Sequence, residues 1–290
     1  MMNFQAQEAV SDTLTHVANT AAAAKEENIG EWIINHISNS AEWHLPFGIH
    51  VHLPQFEPLE LFGISFDFSI SNHLIMLWIA AAIILLLFRA VKPKQQIQKG
   101  MGMFLETIVV FVRDEIAIAN MGEKYGKKFT PLLVSFFLFV WVANLMGLIP
   151  LFSTATGNIN ITMALALVTF ISTQIYGMKE SGIVHYYTSL VPSSVPGYLW
   201  PLMFVVELMG LIAKHVALMI RLFANMIAGH IVLFALIGLI IIFKSYFVSL
   251  VSVPFAIFVS FLEILIATIQ AYIFTLLSSL FIGMSVKPDH

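Results

Sequence analysis

One apolar stretch decides the fold: residues 198–243, YLWPLMFVVELMGLIAKHVALMIRLFANMIAGHIVLFALIGLIIIF, with no proline after Pro201. A helix that crosses a bilayer needs about 20 apolar residues, and this stretch has more than twice that number. At about 1.5 Å per residue, a single helix of this length exceeds twice the thickness of the hydrocarbon core. We therefore predict a helix that either lies steeply tilted in a membrane or breaks within it.

The composition of the chain is that of a membrane protein. Of the 290 residues, 59% are hydrophobic and 11% are charged, whereas about a quarter of the residues of a soluble domain are charged. The net charge of −3 is not clustered, so we expect no nucleic-acid partner. The chain has no cysteine, which excludes disulfides, thiol catalysis and cysteine metal sites. The first thirty residues lack a basic start followed by an apolar core, so we expect no secretory signal there.

Three further stretches have the length and composition of ordinary spanning helices: residues 71–88, 131–152 and 160–177. Basic residues and no acid follow the first of them directly, so the positive-inside rule predicts that this end is cytoplasmic. Residues 102–121 repeat apolar side chains at helical spacing, but charged residues interrupt the repeat. They predict an amphipathic helix that lies in the cytoplasmic interface.

A second long apolar stretch, residues 248–285, follows the first across a turn at Lys244-Ser245-Tyr246. Together with residues 199–243 it predicts a long, strongly tilted two-helix membrane hairpin, and the helix count leaves the C-terminus inside. Outside the two long helices, ten basic residues then lie on the cytoplasmic side and only Lys25 and Lys244 lie outside. The predicted fold class is an all-α integral membrane protein with its membrane domain at residues 71–290.

Residues 1–70 are predicted to form a small extracytoplasmic region, because the first span leads from them to the cytoplasmic side. They hold nine acidic residues and a single basic residue. Residues 48–53 and 61–66 predict two short strands that form a β-hairpin. His50 and His52 share one strand face, but no third ligand follows at a diagnostic spacing, so we predict no metal site.

Polar residues are few in the long hairpin, and they mark an ion path because an ionised group at the bilayer centre costs at least ~2.5–3.5 kcal/mol. The main ones are Glu207, Lys214, His215, Arg221, Asn225, His230, Glu263 and Gln270. Arg221 lies about twenty residues from either end of its helix. Its guanidinium stays charged at any workable pH, so it is a permanent positive charge in the membrane. A structural ion pair with Glu207 or Glu263 is the alternative role for Arg221.

Helical spacing assigns these side chains to faces. Glu207, Lys214 and Arg221 are seven residues apart and Asn225 follows four later, so the four share a face within an arc of about 40°. His230 comes nine residues after Arg221, which directs it to nearly the opposite side. Arg221 and His230 are therefore predicted to face different environments.

The turn predicts which residues of the two long helices lie at one level. In an antiparallel hairpin, two residues at one level are equally far in sequence from the turn. His230 and Glu263 are equally far from a point next to Tyr246, and so are Arg221 and Gln270. Histidine titrates near neutrality and a neighbouring acid tunes it. His230 and Glu263 therefore predict a proton-relay pair nearer the outer face.

Titratable groups thus lie on both sides of a fixed cation, since Glu207 precedes Arg221 by about 20 Å along the helix. A fixed positive charge prevents protons from crossing directly. The path conducts only when a mobile group carries the proton past the charge. A carboxylate on a partner protein suits this role, because it is attracted to Arg221 when charged and enters lipid when protonated.

Three motifs in chain order carry a resemblance to a known family: residues 144–150 (NLMGLIP) with 158–162 (NINIT), residues 218–230 (LMIRLFANMIAGH) and residues 263–274 (EILIATIQAYIF). At these motifs the chain resembles subunit a of the F-type, rotary ATP synthases, over most of its length from about residue 71. Two features depart from the family: Ala224 stands where a glycine is common, and residues 1–70 are longer than in many relatives.

The resemblance implies that the mobile carboxylate belongs to a rotating ring of c subunits and that Arg221 is the essential charge barrier facing this ring. It implies a cytoplasmic half-channel at Glu207 and an outer half-channel lined by His230, Glu263, Gln270 and Asn225. The family's other partners would be the peripheral-stalk b subunits, the remaining synthase subunits and the lipid bilayer. The expected location is the bacterial plasma (inner) membrane, for a proton-translocating subunit that binds no nucleotide, cofactor or metal.

Four other residues are weaker candidates. Lys214 either snorkels to the cytoplasmic interface or belongs to the ion path. His215 falls off the polar stripe and is predicted to be a packing or interface residue. Asn158 and Asn160 either cap the third span or help to line the outer entrance.

Two other functions compete with an ion-channel subunit of a rotary synthase. A self-contained proton-coupled secondary transporter predicts two related halves with broken helices, and the sequence contains no such repeat. A membrane scaffold would use buried polar groups only to join helices, which does not explain a positive charge flanked by titratable groups. The His230–Glu263 pair favours H⁺ as the ion, although a choice of Na⁺ would depend on ligands in the partner ring.

Overall fold

The computed structural model describes residues 42–45, 49–52, 59–61, 64–66, 72–89, 91, 100–149, 154–192, 195–243 and 245–286. Residues 1–41 lie outside the described residues. The predicted domain boundary at residue 70 also falls outside them, so the extracytoplasmic region stays a prediction.

Two β-hairpins precede the first membrane helix. Strand β1 (Glu42–Leu45) pairs with β2 (Ile49–His52), and β3 (Leu59–Leu61) pairs with β4 (Ile64–Phe66), both antiparallel. The predicted pairing of residues 48–53 with 61–66 is wrong, because each strand pairs with its nearest neighbour in sequence. A loop of two or three residues closes such a hairpin at a lower entropic cost than a longer connection.

The first membrane helix, α1, spans Asn72–Arg89. A longer helical stretch follows, made of α2 (Met101–Phe111), a π-helical segment (Val112–Ile118) and α3 (Ala119–Gly147). Gly122 has a φ of 74°, which kinks α3 close to its start. Only glycine adopts this backbone conformation without a steric cost.

The start of α3 differs from the sequence prediction. An interfacial helix was expected to end at residue 121 and a span to begin at residue 131, but beyond the kink at Gly122 residues 123–130 are helical. Tyr125 and Phe129 are buried there in the core, and Lys127 pairs with Glu123 one turn earlier, at 2.6 Å. Burial of the rings and the i,i+4 ion pair both stabilise the helix.

A short 3₁₀ turn (Ala155–Gly157) leads into α4 (Ile159–Ser181). The side chain of Asn158 accepts a hydrogen bond from the backbone N–H of Asn160, at 2.9 Å. The capping role of Asn158 is thereby confirmed. After Gly182, whose φ is 78°, a short helix α5 (Ile183–Thr188) forms between the third predicted span and the long hairpin.

The two long stretches form continuous helices, α6 (Trp200–Phe243, 44 residues) and α7 (Tyr246–Val286, 41 residues). Of the two alternatives predicted for residues 198–243, a break is therefore excluded. At about 1.5 Å per residue, α6 is roughly 66 Å long, so it can remain inside a bilayer only if it is strongly tilted.

Hydroxyl groups attach the C-terminal half of α7 to the preceding helices. Ser279 donates a hydrogen bond to the carbonyl oxygen of Ile116 at 3.0 Å, and the hydroxyls of Ser278 and Thr169 hydrogen-bond at 3.1 Å. Gly283 lies so close to the backbone of Asn120 that a Cβ atom there would be only 2.6 Å from its carbonyl oxygen. These contacts hold the hairpin against the rest of the membrane helices.

Among the described residues, five helical stretches are long and apolar enough to cross a membrane: Asn72–Arg89, Met101–Gly147, Ile159–Ser181, Trp200–Ile240 and Tyr246–Val286. The protein is thus a multi-pass membrane protein whose membrane part is all-α, as its composition predicts. Its core lies where α3 packs against the C-terminal half of α7.

Candidate functional site

Arg221 lies near the middle of α6, on an exposed face of the helix. Leu218 and Leu222 flank it on the buried face, where they are 2% and 1% exposed. Within the described part of the chain, no residue forms an ion pair or a hydrogen bond with the guanidinium. The alternative of an internal pair with Glu207 or Glu263 is therefore not observed, and the charge is available to a group outside this chain.

A polar cluster that joins three helices lies on the C-terminal side of Arg221. A hydrogen bond joins the hydroxyl of Thr154 and Nε2 of His230 on α6. Nδ1–H of His73, at the start of α1, donates to the carbonyl oxygen of Thr154 at 2.9 Å. Close by along the chain, the Thr156 hydroxyl donates to Oδ1 of the buried Asn144 on α3, at 2.6 Å. Thr154 therefore connects two histidines that are far apart in the sequence.

Glu263 lies at the level that the hairpin register predicts. Its carboxyl group packs against Gly229, where any Cβ atom would collide with Oε1. Gly229 and Glu263 are equally far in sequence from Tyr246, as the predicted register requires. Its other oxygen, Oε2, is buried and has no hydrogen-bond partner among the residues that the structure describes. His230, the next residue after Gly229, binds Thr154 rather than Glu263. The two members of the predicted relay pair are thus brought to one level without a direct hydrogen bond.

The remaining predicted outer residues take different positions. Gln270 is buried on α7, and Asn225 is half-buried one turn beyond Arg221 on α6. Asn158 is half-buried and Asn160 is exposed at the N-terminus of α4, where they form the cap described above.

A cavity of about 150 Å³ lies on the N-terminal side of Arg221. Residues of α4, α5, α6 and α7, together with the segment that follows α5, line it: Thr173, Tyr186, Ser189, Leu190, Glu207, Leu211, Lys214, His215, Phe281, Met284 and Ser285. Glu207 and Lys214, predicted from their spacing to share a face, thus open onto the same space. Lys214 is exposed and Glu207 is half-buried.

Sequence reasoning missed three members of these sites. His73 and Thr154 contact partners 81 and 76 residues away in the chain, and Tyr186 comes from a connector that was not expected to be helical. Helical periodicity relates residues within one element only. The one local signal was His73 itself, a titratable side chain at the edge of an apolar span.

Comparison with known proteins identifies the family. The family profile described as ATP synthase A chain matches residues 74–283, which is more than half of the chain. The chain belongs to the ATP synthase subunit a family. Within the polar cluster, Asn144, Thr154, Thr156 and His230 lie in the matched range, and His73 lies one residue before it. The cavity residues up to Phe281 also lie in the matched range.

Curated relatives agree with the family profile. The chain is 47% identical over 265 residues to the ATP synthase subunit a of Chloroherpeton thalassium, covering 89% of this chain and 77% of the relative. It is 40% identical over 311 residues to that of an Anaeromyxobacter species, covering 96% and 76%, and 41% identical over 264 residues to that of Myxococcus xanthus, covering 88% and 87%. The subunit a family and the five apolar helices identify a membrane component of ATP synthesis.

Proposed function

We propose that this chain is the stationary ion-channel subunit of the membrane sector of an F-type ATP synthase. Two offset half-channels lead protons to and from a carboxylate on a rotating c-subunit ring, and Arg221 between them prevents leakage. The observation that carries the proposal is an exposed arginine without a partner in the described chain, with polar sites on both sides of it along α6.

The outer half-channel is assigned to the polar cluster of His230, Thr154 and His73, with Glu263 beside it. His230 follows Arg221 by nine residues, or roughly 14 Å along the helix. Histidine and carboxyl groups exchange protons near neutral pH, and hydroxyl groups both donate and accept hydrogen bonds. The hydroxyl of Thr154 supports proton exchange at His230, whereas His73 bonds to the backbone carbonyl oxygen of Thr154 and thereby holds that residue in place.

The cytoplasmic half-channel is assigned to the cavity that Glu207 and Lys214 line. A volume of about 150 Å³ has room for several water molecules, since each takes about 30 Å³ in the liquid. Glu207 precedes Arg221 by fourteen residues, or roughly 21 Å along α6. The N-terminus then lies outside and the C-terminus inside, in agreement with the distribution of basic residues.

The ring of c subunits is assigned to the exposed face of α6. Large apolar residues are exposed there at helical spacing: Leu202, Val205, Val206, Met209, Ile212, Val216 and Ile220. Such a stripe suits lipid or an apolar partner helix, and Arg221 lies at its edge. A membrane potential adds about 2.3 kcal/mol per charge per 100 mV to the driving force for the ion. The peripheral-stalk b subunits and the other synthase subunits complete the complex, in the bacterial plasma membrane.

Reconstitution tests the proposal against a self-contained transporter. We expect proteoliposomes with the complete synthase to acidify their lumen when ATP is added, and vesicles with this chain alone to move no protons under an imposed potential. Isolated membrane sectors that contain this chain and its ring provide the matched control, and they should conduct protons. Proton transport by the chain alone, at a rate comparable to that of the membrane sector, would contradict the proposal.

The outer half-channel predicts an effect of Thr154→Val. The valine keeps the shape but lacks the hydroxyl that binds His230, and a hydrogen bond between neutral groups contributes about 0.5–1.5 kcal/mol. We expect ATP-driven proton pumping in membrane vesicles to fall roughly tenfold, because 1.36 kcal/mol corresponds to a factor of ten. Thr154→Ser, which retains the hydroxyl, should pump at close to the original rate. Equal pumping by the valine and serine variants would remove Thr154 from the path.

A further inference from the structure

His215 is buried beside the cavity but takes no part in the polar stripe of α6. Its side chain is only 6% exposed, and the rings of Phe170 and Phe281 pack against it at centroid distances of 5.0 and 5.1 Å. The prediction that His215 is a packing residue therefore agrees with the ring contacts to Phe170 and Phe281. It does not account for the nitrogen atoms.

The two ring nitrogens have different surroundings. Nδ1–H donates to the carbonyl oxygen of Leu211, one turn earlier, at 2.9 Å. In the neutral ring this leaves Nε2 as the atom with a free lone pair. Nε2 is buried and has no hydrogen-bond partner among the side chains and backbone groups that the structure describes. An unpartnered buried polar atom is destabilising, and a water molecule that enters from the cavity would satisfy Nε2.

The position of His215 along α6 suits a role between the cavity and the arginine. It follows Glu207 by eight residues and precedes Arg221 by six, which are roughly 12 Å and 9 Å along the helix axis. It also lines the same cavity as Glu207 and Lys214. Among the titratable residues of α6 that line the cavity, His215 is thus the nearest to Arg221 in sequence. It lies on the buried side of the helix, whereas Arg221 is exposed.

We propose that His215 is a further proton-carrying residue of the cytoplasmic half-channel, an assignment that rests on the function proposed above. The lone pair of Nε2 forms an N–H bond with a proton from a hydronium ion in the cavity, whose O–H bond breaks. The positive charge moves to the imidazolium ring, and the reverse step returns the proton to water. No electron transfer and no other reactant are needed.

The other polar groups of the cavity set the energy of the charged ring. The neighbouring Lys214 ammonium opposes an imidazolium by its positive charge, and Glu207 lines the same cavity. From α5, the hydroxyl of Tyr186 hydrogen-bonds to Ser285 at 3.3 Å, and burial raises its pKa, so it remains neutral. Among the groups named here, His215 is thus the neutral base with a free ring-nitrogen lone pair.

The test uses the complete synthase in proteoliposomes with its cytoplasmic side outward. The variants are His215→Gln and His215→Phe, and the matched control is His185→Gln, which changes an exposed histidine outside the cavity. We expect both His215 variants to pump protons about tenfold more slowly and to lose the part of the external-pH dependence of the pumping rate that comes from an imidazole. The control should keep the original rate and pH profile. Detergent-released ATP hydrolysis measures assembly in each case.

Several outcomes would overturn the inference. An unchanged pumping rate in His215→Gln would do so, and so would a uniformly lower rate with the original pH profile, which indicates packing alone. Arg221→Ala in the same vesicles separates this failure from that of the proposed function. Loss of coupling in Arg221→Ala together with normal His215 variants would reject only the role of His215, whereas retained coupling in Arg221→Ala would reject the channel function itself.

Discussion

Arg221→Ala is expected to abolish ATP synthesis driven by a proton gradient, with a loss of about 100-fold or more. Removal of one preorganised electrostatic partner from a water-excluded site costs about 10²–10³ in rate. Here the missing charge also opens a leak, since no fixed cation then separates the two half-channels. We expect the complex to assemble normally, because Arg221 is exposed and contacts no other described side chain by an ion pair or hydrogen bond.

The measurement compares ATP synthesis and passive proton leakage in inverted membrane vesicles. Ile220→Ala is the matched control, since this neighbouring side chain is 48% exposed on the same helix but carries no charge. Arg221→Lys adds a second comparison, because it keeps the charge but not the planar, bidentate geometry of the guanidinium. Intact coupled synthesis in Arg221→Ala would show that the arginine is not the barrier.

Gly229→Ala is expected to lower proton-driven ATP synthesis about tenfold. The new Cβ atom would overlap Oε1 of Glu263 and lie 3.1 Å from its Cδ and 3.3 Å from its Cγ, so the carboxyl group must move. A displacement of about 1 Å in a positioned reacting group is enough to cost a factor of ten to a hundred. The substitution thus changes the position of Glu263 without altering its chemistry.

Gly210→Ala provides a matched control on the same helix. No atom lies within 4 Å of the Cβ position at Gly210, so this change should preserve synthesis, and alanine stabilises a helix by up to about 1 kcal/mol relative to glycine. A second variant, Glu263→Asp, shortens the side chain and should restore part of the lost activity when it is combined with Gly229→Ala. Equal activity of the two glycine variants, with no rescue by Glu263→Asp, would show that the contact is not functional.

The hairpin shows how far local patterns reach. The level of Glu263 along the hairpin was predicted from two apolar stretches, the turn between them and the positions of four polar residues. In the structure its carboxyl group lies against Gly229, as that register requires. The prediction succeeds because a helix has a fixed rise per residue. The number of residues from the turn therefore gives the level of each residue along the two joined helices. The structure does not join His230 to Glu263 by a hydrogen bond, because Thr154 binds the histidine instead.

The start of α3 shows the opposite case. The charged residues between the predicted interfacial helix and the predicted span at 131–152 were not expected to be helical. Burial of Tyr125 and Phe129 nevertheless keeps this part of the chain helical. The energy of burial depends on neighbours from other elements, which no window along the sequence includes. Strand pairing in the N-terminal hairpins differed from the prediction for a related reason, because loop closure between near neighbours competed with the longer pairing.

The sequence by itself determined that the chain lies in a membrane, that its last two helices are too long to stand upright, and that Arg221 is isolated among apolar residues. These properties are additive along the chain, since each apolar residue contributes its own transfer free energy. Only the tertiary structure decided that Thr154 joins His73 to His230, and that His215 faces a cavity shared with Glu207. Those contacts exist because separate helices pack together, so they depend on residues that are distant in the chain.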